Sequence, residues 1–386
     1  MRIMLVTDQY PPMVGGVPTV THGLAVDFAR RGQQVWVIAP SSDMRNAYAL
    51  EDKVHVYRFA SFEWPMYEGQ RLAFLPLLAM RQLIRDVDPD VLHIHSPAVL
   101  GLLAQCLARS FHKTVIATNH FMPGNMSRSL ASSTSFNKGV YAYLTWFYNR
   151  CMHVTAPTMT ALKLLHTHGL VAPSSVISNG IDLHNFTPGE RDPQIRRRFH
   201  LPADRPLALH VSRLSAEKRI DVLLDAAARM QGNGHITLAG VGPAEAILRA
   251  QAQRLQLGDR VSFLGFVSNA DLLALRRASD VYVIPSEAEL QSLSTMEAMA
   301  CGLPVIAANA CALPELVHHN RNGILVQPGN DDELAYHLDI LLSNADLRSR
   351  MGAESLEIIA KHGRSEVLNQ WEELYQDLSA EFRETN

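Results

Sequence analysis

Residues 3–17 read IMLVTDQYPPMVGGV: a short apolar run, a proline turn, and a glycine pair ahead of a helix-like stretch. An apolar run of that length bounded by turn residues reads as a strand buried on both faces. The pattern recurs outward along the chain. VWVIA (35–39), VHVYRF (54–59), VLHIH (91–95) and TVIAT (114–118) follow, with helix-like segments between them. A second series, LALHV (207–211), HITLA (235–239), VSFL (261–264), VYVI (281–284) and VIA (305–307), repeats the architecture without repeating the sequence. Strands alternating with helices predict α/β domains, each a doubly wound, Rossmann-like parallel sheet.

A chain of 386 residues is too long for one ordinary core and suits two domains. Residues 185–205 are rich in proline, glycine and charge, with Pro188, Gly189, Pro193 and Pro202 punctuating them, so the boundary is expected there. This gives an N-terminal domain over 1–190, a C-terminal domain over 191–365 and a terminal helix over 366–386. That helix carries Val367, Trp371, Leu374, Tyr375 and Leu378 on one side, a stripe suited to packing back on the N-terminal domain. Open sheets of this kind bind ligands at the carboxyl ends of their strands. With those ends facing each other, the site is expected in the cleft between the domains.

Composition narrows the function. Hydrophobic residues are 47% and charged residues 19% of the chain, with a net charge of -3, so a packed soluble protein is expected and nucleic acid is not a partner. The one dense basic run, Arg196 to Arg198, reads as a solvated helix face. Cys106, Cys151, Cys301 and Cys311 have neither CxxC spacing nor histidine at ligand intervals, so no metal site or disulfide framework is expected. Residues 1–7 run straight into a strand without the parts of a secretory leader, and the longest apolar stretch, 72–80, is short of the roughly 20 residues a spanning helix needs. A cytoplasmic protein is expected, with any membrane contact peripheral.

The chemistry concentrates in residues 286–304, SEAELQSLSTMEAMACGLP. Ser292 and Ser294 both suit a helix N-cap and Gly302 its end, which puts Glu289 in the entering loop and Glu297 in the first turns. The uncapped N–H groups of such a terminus are a seat for a diphosphate. Taken alone, Ser294 to Glu297 also reads as a capping box, with Glu297 reaching back to the backbone. Upstream, VSRLSAEK (211–218) offers Arg213 and Lys218. Two cations on a diphosphate would stabilise the charge that grows as a nucleotide departs. Without a ligand they are ordinary surface charges. Gly15 and Gly16 let backbone N–H groups approach an anion.

These segments resemble the retaining glycosyltransferases of family four, whose E-x7-E signature matches Glu289 and Glu297 and whose usual continuation resembles EAMACGLPVIA. The resemblance implies the two-domain GT-B fold. It implies that Glu289 contacts donor-sugar hydroxyls, Glu297 the nucleotide ribose, and Arg213 and Lys218 the diphosphate. Gln291, Ser292 and Leu293, inside the signature, are counted with the donor-binding residues. Ser212 and Arg219 stand where that family commonly has glycine, and the second change could alter the local turn. Gly240 and Gly242 match a phosphate-contacting loop, and Gly265, Phe266 and Val267 a base-contacting one. Gly15 and Gly16 match a loop that closes over the donor phosphates.

His120, in ATNHFMPGNM (117–126), is a structural hydrogen-bonder by default. The resemblance places it beside the donor sugar and acceptor as a hydrogen-bond donor. His95 is expected to line the cleft and His93 to point to the opposite face.

The resemblance thus implies a retaining, metal-independent hexosyltransferase with no cofactor, the nucleotide diphosphate sugar being a substrate. AELQS around Glu289 and TNHFMPGN around His120 look like the diacylglycerol glucosyltransferase branch, which implies UDP-glucose as donor, a membrane lipid as acceptor and the inner face of the cell membrane as the place of work. Phe62, Trp64, Met66, Tyr67, Leu72, Phe74 and Leu75 beside Arg71, and Trp146 and Phe147 within 141–148, suit an anionic membrane interface. They suit core packing equally. A soluble sugar acceptor, a sugar-nucleotide epimerase, a phosphorylase and a noncatalytic nucleotide-sugar-binding subunit are the competing readings.

Overall fold

A computed structural model describes residues 1–64, 71–123 and 134–385. Met66, Tyr67 and residues 124–126, which the sequence reading used, lie outside them. Two compact units form: Met1–Gly180 together with Ser365–Asn386, and Ile181–Arg364. The proline-rich stretch 185–205 lies within the second unit.

The first unit holds an eight-stranded sheet in the order β10-β9-β8-β7-β1-β2-β4-β3. Its strands are β1 (Arg2–Val6), β2 (Gln34–Pro40), β3 (Ala47–Glu51), β4 (Val54–Phe59), β7 (Val91–Ile94), β8 (Thr114–Thr118), β9 (His153–Ala156) and β10 (Ser174–Val176). All pairings are parallel except that of β3 with β4. A small antiparallel pair, β5 (Ser61–Glu63) and β6 (Arg71–Ala73), stands apart. Ile3, Leu5, Val35, Val37, Val91 and Ile116 pack with Phe28 in one core, and the helix Arg364–Thr385 adds Val367, Trp371, Tyr375 and Leu378 to it. The amphipathic stripe of that helix is buried because the sheet would otherwise leave an apolar face in water.

The second unit holds a six-stranded parallel sheet in the order β13-β12-β11-β14-β15-β16. The strands are β11 (Leu207–Val211), β12 (His235–Ala239), β13 (Val261–Gly265), β14 (Val281–Ile284), β15 (Val305–Ala308) and β16 (Gly323–Val326). Counted within the unit the order is 3-2-1-4-5-6, and the direction of winding reverses between β11 and β14. A crevice opens at such a reversal because the two flanking strands send their helices to opposite faces. The loops after β11 and β14 therefore border the natural ligand site of this unit.

Arg196 departs from the solvated face expected of it. It donates to the carbonyls of Pro202, Ala203, Arg205 and Ala278 and lies 3.7 Å from the buried Asp280. Arg191 and Arg348 approach the same carboxylate at 3.0 and 3.6 Å. Four carbonyls and a carboxylate replace the water the guanidinium gives up. Among the described residues no helix is long and apolar enough to cross a membrane.

Candidate functional site

The loops bordering the reversal in the second unit are tied to each other. Lys218 Nζ lies 2.7 Å from Glu289 Oε1, with side chains 19% and 11% exposed. Arg219, next in sequence, pairs with Glu287. The Ser286 hydroxyl donates to the carbonyl of Glu217 at 3.2 Å. Ser294 and Tyr282 hydroxyls both lie within hydrogen-bond reach of the Val211 carbonyl, at 3.0 and 3.2 Å. Arg219 adopts φ 51°, ψ 39° between a short 3-10 turn, Ala216–Lys218, and the helix Ile220–Arg229. A side chain in that left-handed conformation is strained by roughly 1–2 kcal/mol, where glycine would not be. Its guanidinium offsets this through Asp221, 3.3 Å away, and Glu287.

Arg213 Nη2 lies 3.1 Å from Glu217 Oε1 on the more open side of the loop. Each of the two cations expected at a diphosphate is thus held beside a carboxylate. His210, beneath them, bonds the Val283 carbonyl and the Ser212 hydroxyl, and burial pushes its pKa down to about 4. It is neutral and adds no charge near the cations.

Gly240 explains itself through packing. At φ 139° its missing Cβ would sit 1.8 Å from the carbonyl oxygen of Ser212, and a Cβ on Gly242 would sit 2.4 Å from that of Leu214. The Leu214 N–H bonds the Val241 carbonyl and the Ala244 N–H returns to Leu214. Two backbones can lie this close only without side chains between them. Beyond them Gly265 accepts from the N–H of Gly240, Phe266 is 70% exposed and Val267 is buried in the core.

The helix Leu293–Ala300 is capped by Ser292, whose side chain accepts from the N–H of Thr295. This corrects the capping-box reading: Thr295, not Glu297, holds the third position after the cap. Ser294 is turned away to Tyr282 and Val211. Glu297 instead pairs with Arg276, which is 1% exposed. Burial pushes the Glu297 carboxyl up, and the adjacent guanidinium of Arg276 opposes the shift. Arg276 had no signal in the sequence, because one arginine near the end of a helix looks like any solvated one. Gln291 is buried and Leu293 half-buried beside the cap.

In the first unit, Gly15 caps the helix Gly16–Arg30, whose first turn receives no side-chain cap. A Cβ on Gly15 would meet only Pro18, at 3.5 Å, and its backbone is extended, so folding does not demand glycine there. His120 Nε2 lies 3.0 Å from His95 Nδ1, and the rings stack. His93 does not point away from His95: their ring centroids are 4.0 Å apart. Residues two apart on a strand share a face, so the opposite orientation expected for His93 was wrong. His93 bridges Tyr375 and Thr118, each at 2.6 Å. Burial holds His93 and His95 well below the usual histidine range and takes His120 to about 4.

Comparison with known proteins bears on both units. Residues 191–357 match the glycosyl transferases group 1 pattern and residues 14–185 the Glycosyltransferase Family 4 pattern. The chain is 30% identical over 328 residues to a GDP-mannose-dependent alpha-mannosyltransferase of Mycolicibacterium smegmatis, covering 84% of each chain. It is 27% identical over 371 residues to the alpha-monoglucosyldiacylglycerol synthase of Streptococcus pneumoniae, covering 94% of this chain and 83% of that one. Its backbone resembles that of sucrose-phosphate synthase from Thermosynechococcus elongatus with a TM-score of 0.84 at 22% identity, over 98% and 99% of the two chains.

Proposed function

The chain belongs to the group 1, family 4 glycosyltransferases with the GT-B fold, and from that premise we propose that it transfers glucose from UDP-glucose to a membrane lipid, diacylglycerol, with retention and without a metal. The observation that carries the donor half is the pairing of Lys218 with Glu289 across the strand reversal of the second unit. A pyrophosphate seated there meets Lys218 and Arg213, while Glu289 is freed to accept from hydroxyls of the sugar. Glu297 accepts from the ribose, and the loop of Gly240 and the segment of Phe266 and Val267 line the phosphate and base.

In the reaction the bond from the anomeric carbon to the β-phosphate oxygen breaks and the bond to the acceptor oxygen forms on the same face. The departing phosphate takes the acceptor proton. Lys218 and Arg213 stabilise the charge left on the nucleotide. Roles for Gly15 and Gly16 at the phosphates and for His120 at the sugar are carried over from the resemblance of their segments to the family.

The lipid half is supported by the surface of the first unit. Phe62 and Phe74 pair with ring centroids 5.3 Å apart while both stay exposed. Leu75, Leu77 and Leu78 are exposed beside them in sequence, Leu78 by 80%. Arg81 and Arg85 are exposed on the helix Leu77–Val87. Apolar side chains with nearby arginines suit the headgroup region of an anionic membrane. The second aromatic stretch divides: Phe147 and Tyr148 are core, whereas Tyr143 and Trp146 remain exposed, with Arg150 over the indole at 4.1 Å.

The similarity to the mannosyltransferase favours a second donor, GDP-mannose. Vesicles of phosphatidylglycerol and diacylglycerol, incubated with the protein and labelled UDP-glucose or GDP-mannose, separate the readings. Labelled glycolipid from UDP-glucose is expected. Label from GDP-mannose alone transfers the donor assignment, and label only on added soluble sugars overturns the lipid acceptor.

A further inference from the structure

His95 is buried to 2% exposure, and its Nε2 has no hydrogen-bond partner among the described residues. Its Nδ1 faces Nε2 of His120 at 3.0 Å. Burial keeps both rings neutral at physiological pH, so each carries one N–H and only one proton lies between them.

Two arrangements satisfy that count. If His120 donates from Nε2, the single proton of His95 sits on its own Nε2, as a buried N–H with no acceptor among the described residues. If His95 donates from Nδ1, its Nε2 is a bare lone pair, and the proton of His120 moves to Nδ1. Orphaned buried N–H groups are rare in proteins, which disfavours the first arrangement and leaves the second. His93 cannot rescue the first, because both of its nitrogens are engaged by Tyr375 and Thr118. The half-buried His120 then presents its free nitrogen as a donor.

We propose that His95 is a positioning residue that holds His120 as the Nδ1–H tautomer, so that His120 donates a hydrogen bond to the bound sugar. The proposal rests on the placement of His120 under the proposed function, and its test separates the two. The ligand-free full chain, labelled with 15N-histidine, gives the tautomer of each ring from two-bond proton–nitrogen correlations, with His120 identified by its loss in His120→Gln. The expected wild-type state of His120 is Nδ1–H. His95→Asn, whose amide N–H can replace Nδ1–H, keeps it. His95→Phe preserves ring bulk without a donor and returns His120 to the Nε2–H form that free imidazole prefers. An Nε2–H His120 in the wild type, or an Nδ1–H His120 that survives in His95→Phe, overturns the proposal; the wild-type spectrum decides alone if His95→Phe does not fold. Turnover of UDP-glucose in the same vesicles is expected to fall about a hundredfold in His95→Phe and His120→Gln and to be largely retained in His95→Asn. Normal turnover in His120→Gln beside an Nδ1–H wild type overturns the placement of His120 at the sugar, and with it the catalytic half of the proposal, but not the pairing.

Discussion

Replacing Lys218 with alanine tests the donor site at its centre, and the structure sets two separate magnitudes. The first is catalytic. An ammonium aimed at a departing diphosphate acts mainly as charge develops, and losing one such donor costs about 2.5–4 kcal/mol, or roughly a hundredfold to a thousandfold in rate. The second is structural. Lys218 compensates Glu289 at 2.7 Å with both side chains largely buried. Breaking a fully buried pair costs about 3–5 kcal/mol, and the exposure remaining here reduces that to about 1–3 kcal/mol. A fall in rate could then be blamed on a disturbed fold.

A double-mutant cycle removes the ambiguity. Lys218→Ala, Glu289→Gln and the double variant are compared by denaturant unfolding and by turnover of labelled donor. The double variant is expected to recover much of the stability lost in Lys218→Ala, since no carboxylate is left uncompensated, but none of the turnover. Turnover in Lys218→Ala within a few-fold of wild type refutes the diphosphate role. So does turnover that returns along with stability in the double variant, because Lys218 would then serve only as the partner of Glu289.

Three further outcomes are expected. Glu297→Gln should weaken UDP binding in calorimetry, and unfolding should show a loss of about 2–4 kcal/mol because Arg276 loses its buried partner; unchanged UDP affinity with that stability loss would leave Glu297 a structural residue only. Gly240→Ala should destabilise by about 2–4 kcal/mol, combining backbone strain with a clash against the Ser212 carbonyl, and a melting temperature equal to wild type would contradict the packing described. Asp8→Asn should change the pH dependence of stability. Burial raises the folded pKa of Asp8 from 3.8 to about 7, so the folded chain holds its proton more tightly than the unfolded chain. Stability is therefore lost as pH rises through that window, by at most about 4 kcal/mol for three pH units. The variant should gain over wild type at pH 8 and lose that advantage at pH 4 to 5; a constant difference would refute the shift. The buried histidines destabilise both proteins in acid and cancel in the comparison.

Which features could be read from sequence depended on how local their causes are. The apolar runs of β1, β2 and β11 are long enough, at five to seven residues, to announce buried strands. By contrast β9, β10 and β16 have only four, three and four residues. β16 begins with Gly323, which looks like a turn residue, yet a Cβ there would lie 2.0 Å from the Val305 carbonyl. The residue is glycine because its neighbour in the sheet demands it, and that neighbour is distant in sequence. β3 escaped because AYALE carries no β-branched residue, and its pairing with β4 supplies what its own sequence lacks. In the site the same division holds. Glu289 and Glu297 could be placed by their spacing around one helix start. The choice between Ser292 and Ser294 as cap could not, because it turns on Tyr282 and Val211 drawing Ser294 away.

The pairing at the strand reversal also constrains how a donor can bind. Lys218 and Arg213 each lie beside a carboxylate, so under the proposed function a pyrophosphate competes with Glu289 and Glu217 for their cations. A cation left unpaired in a largely buried position would be costly to maintain between turnovers; one held by a carboxylate is not. When phosphate replaces Glu289 at Lys218, the displaced carboxylate needs new donors, and the hydroxyls of a sugar attached to that phosphate can provide them. A nucleoside diphosphate without its sugar would take the cation and leave Glu289 uncompensated. The exchange therefore favours the intact donor over its nucleotide product, and mutation of Glu289 to glutamine should narrow the difference between UDP-glucose and UDP affinities in calorimetry. Equal affinities for the two in the wild type would show that Glu289 gains nothing from the sugar.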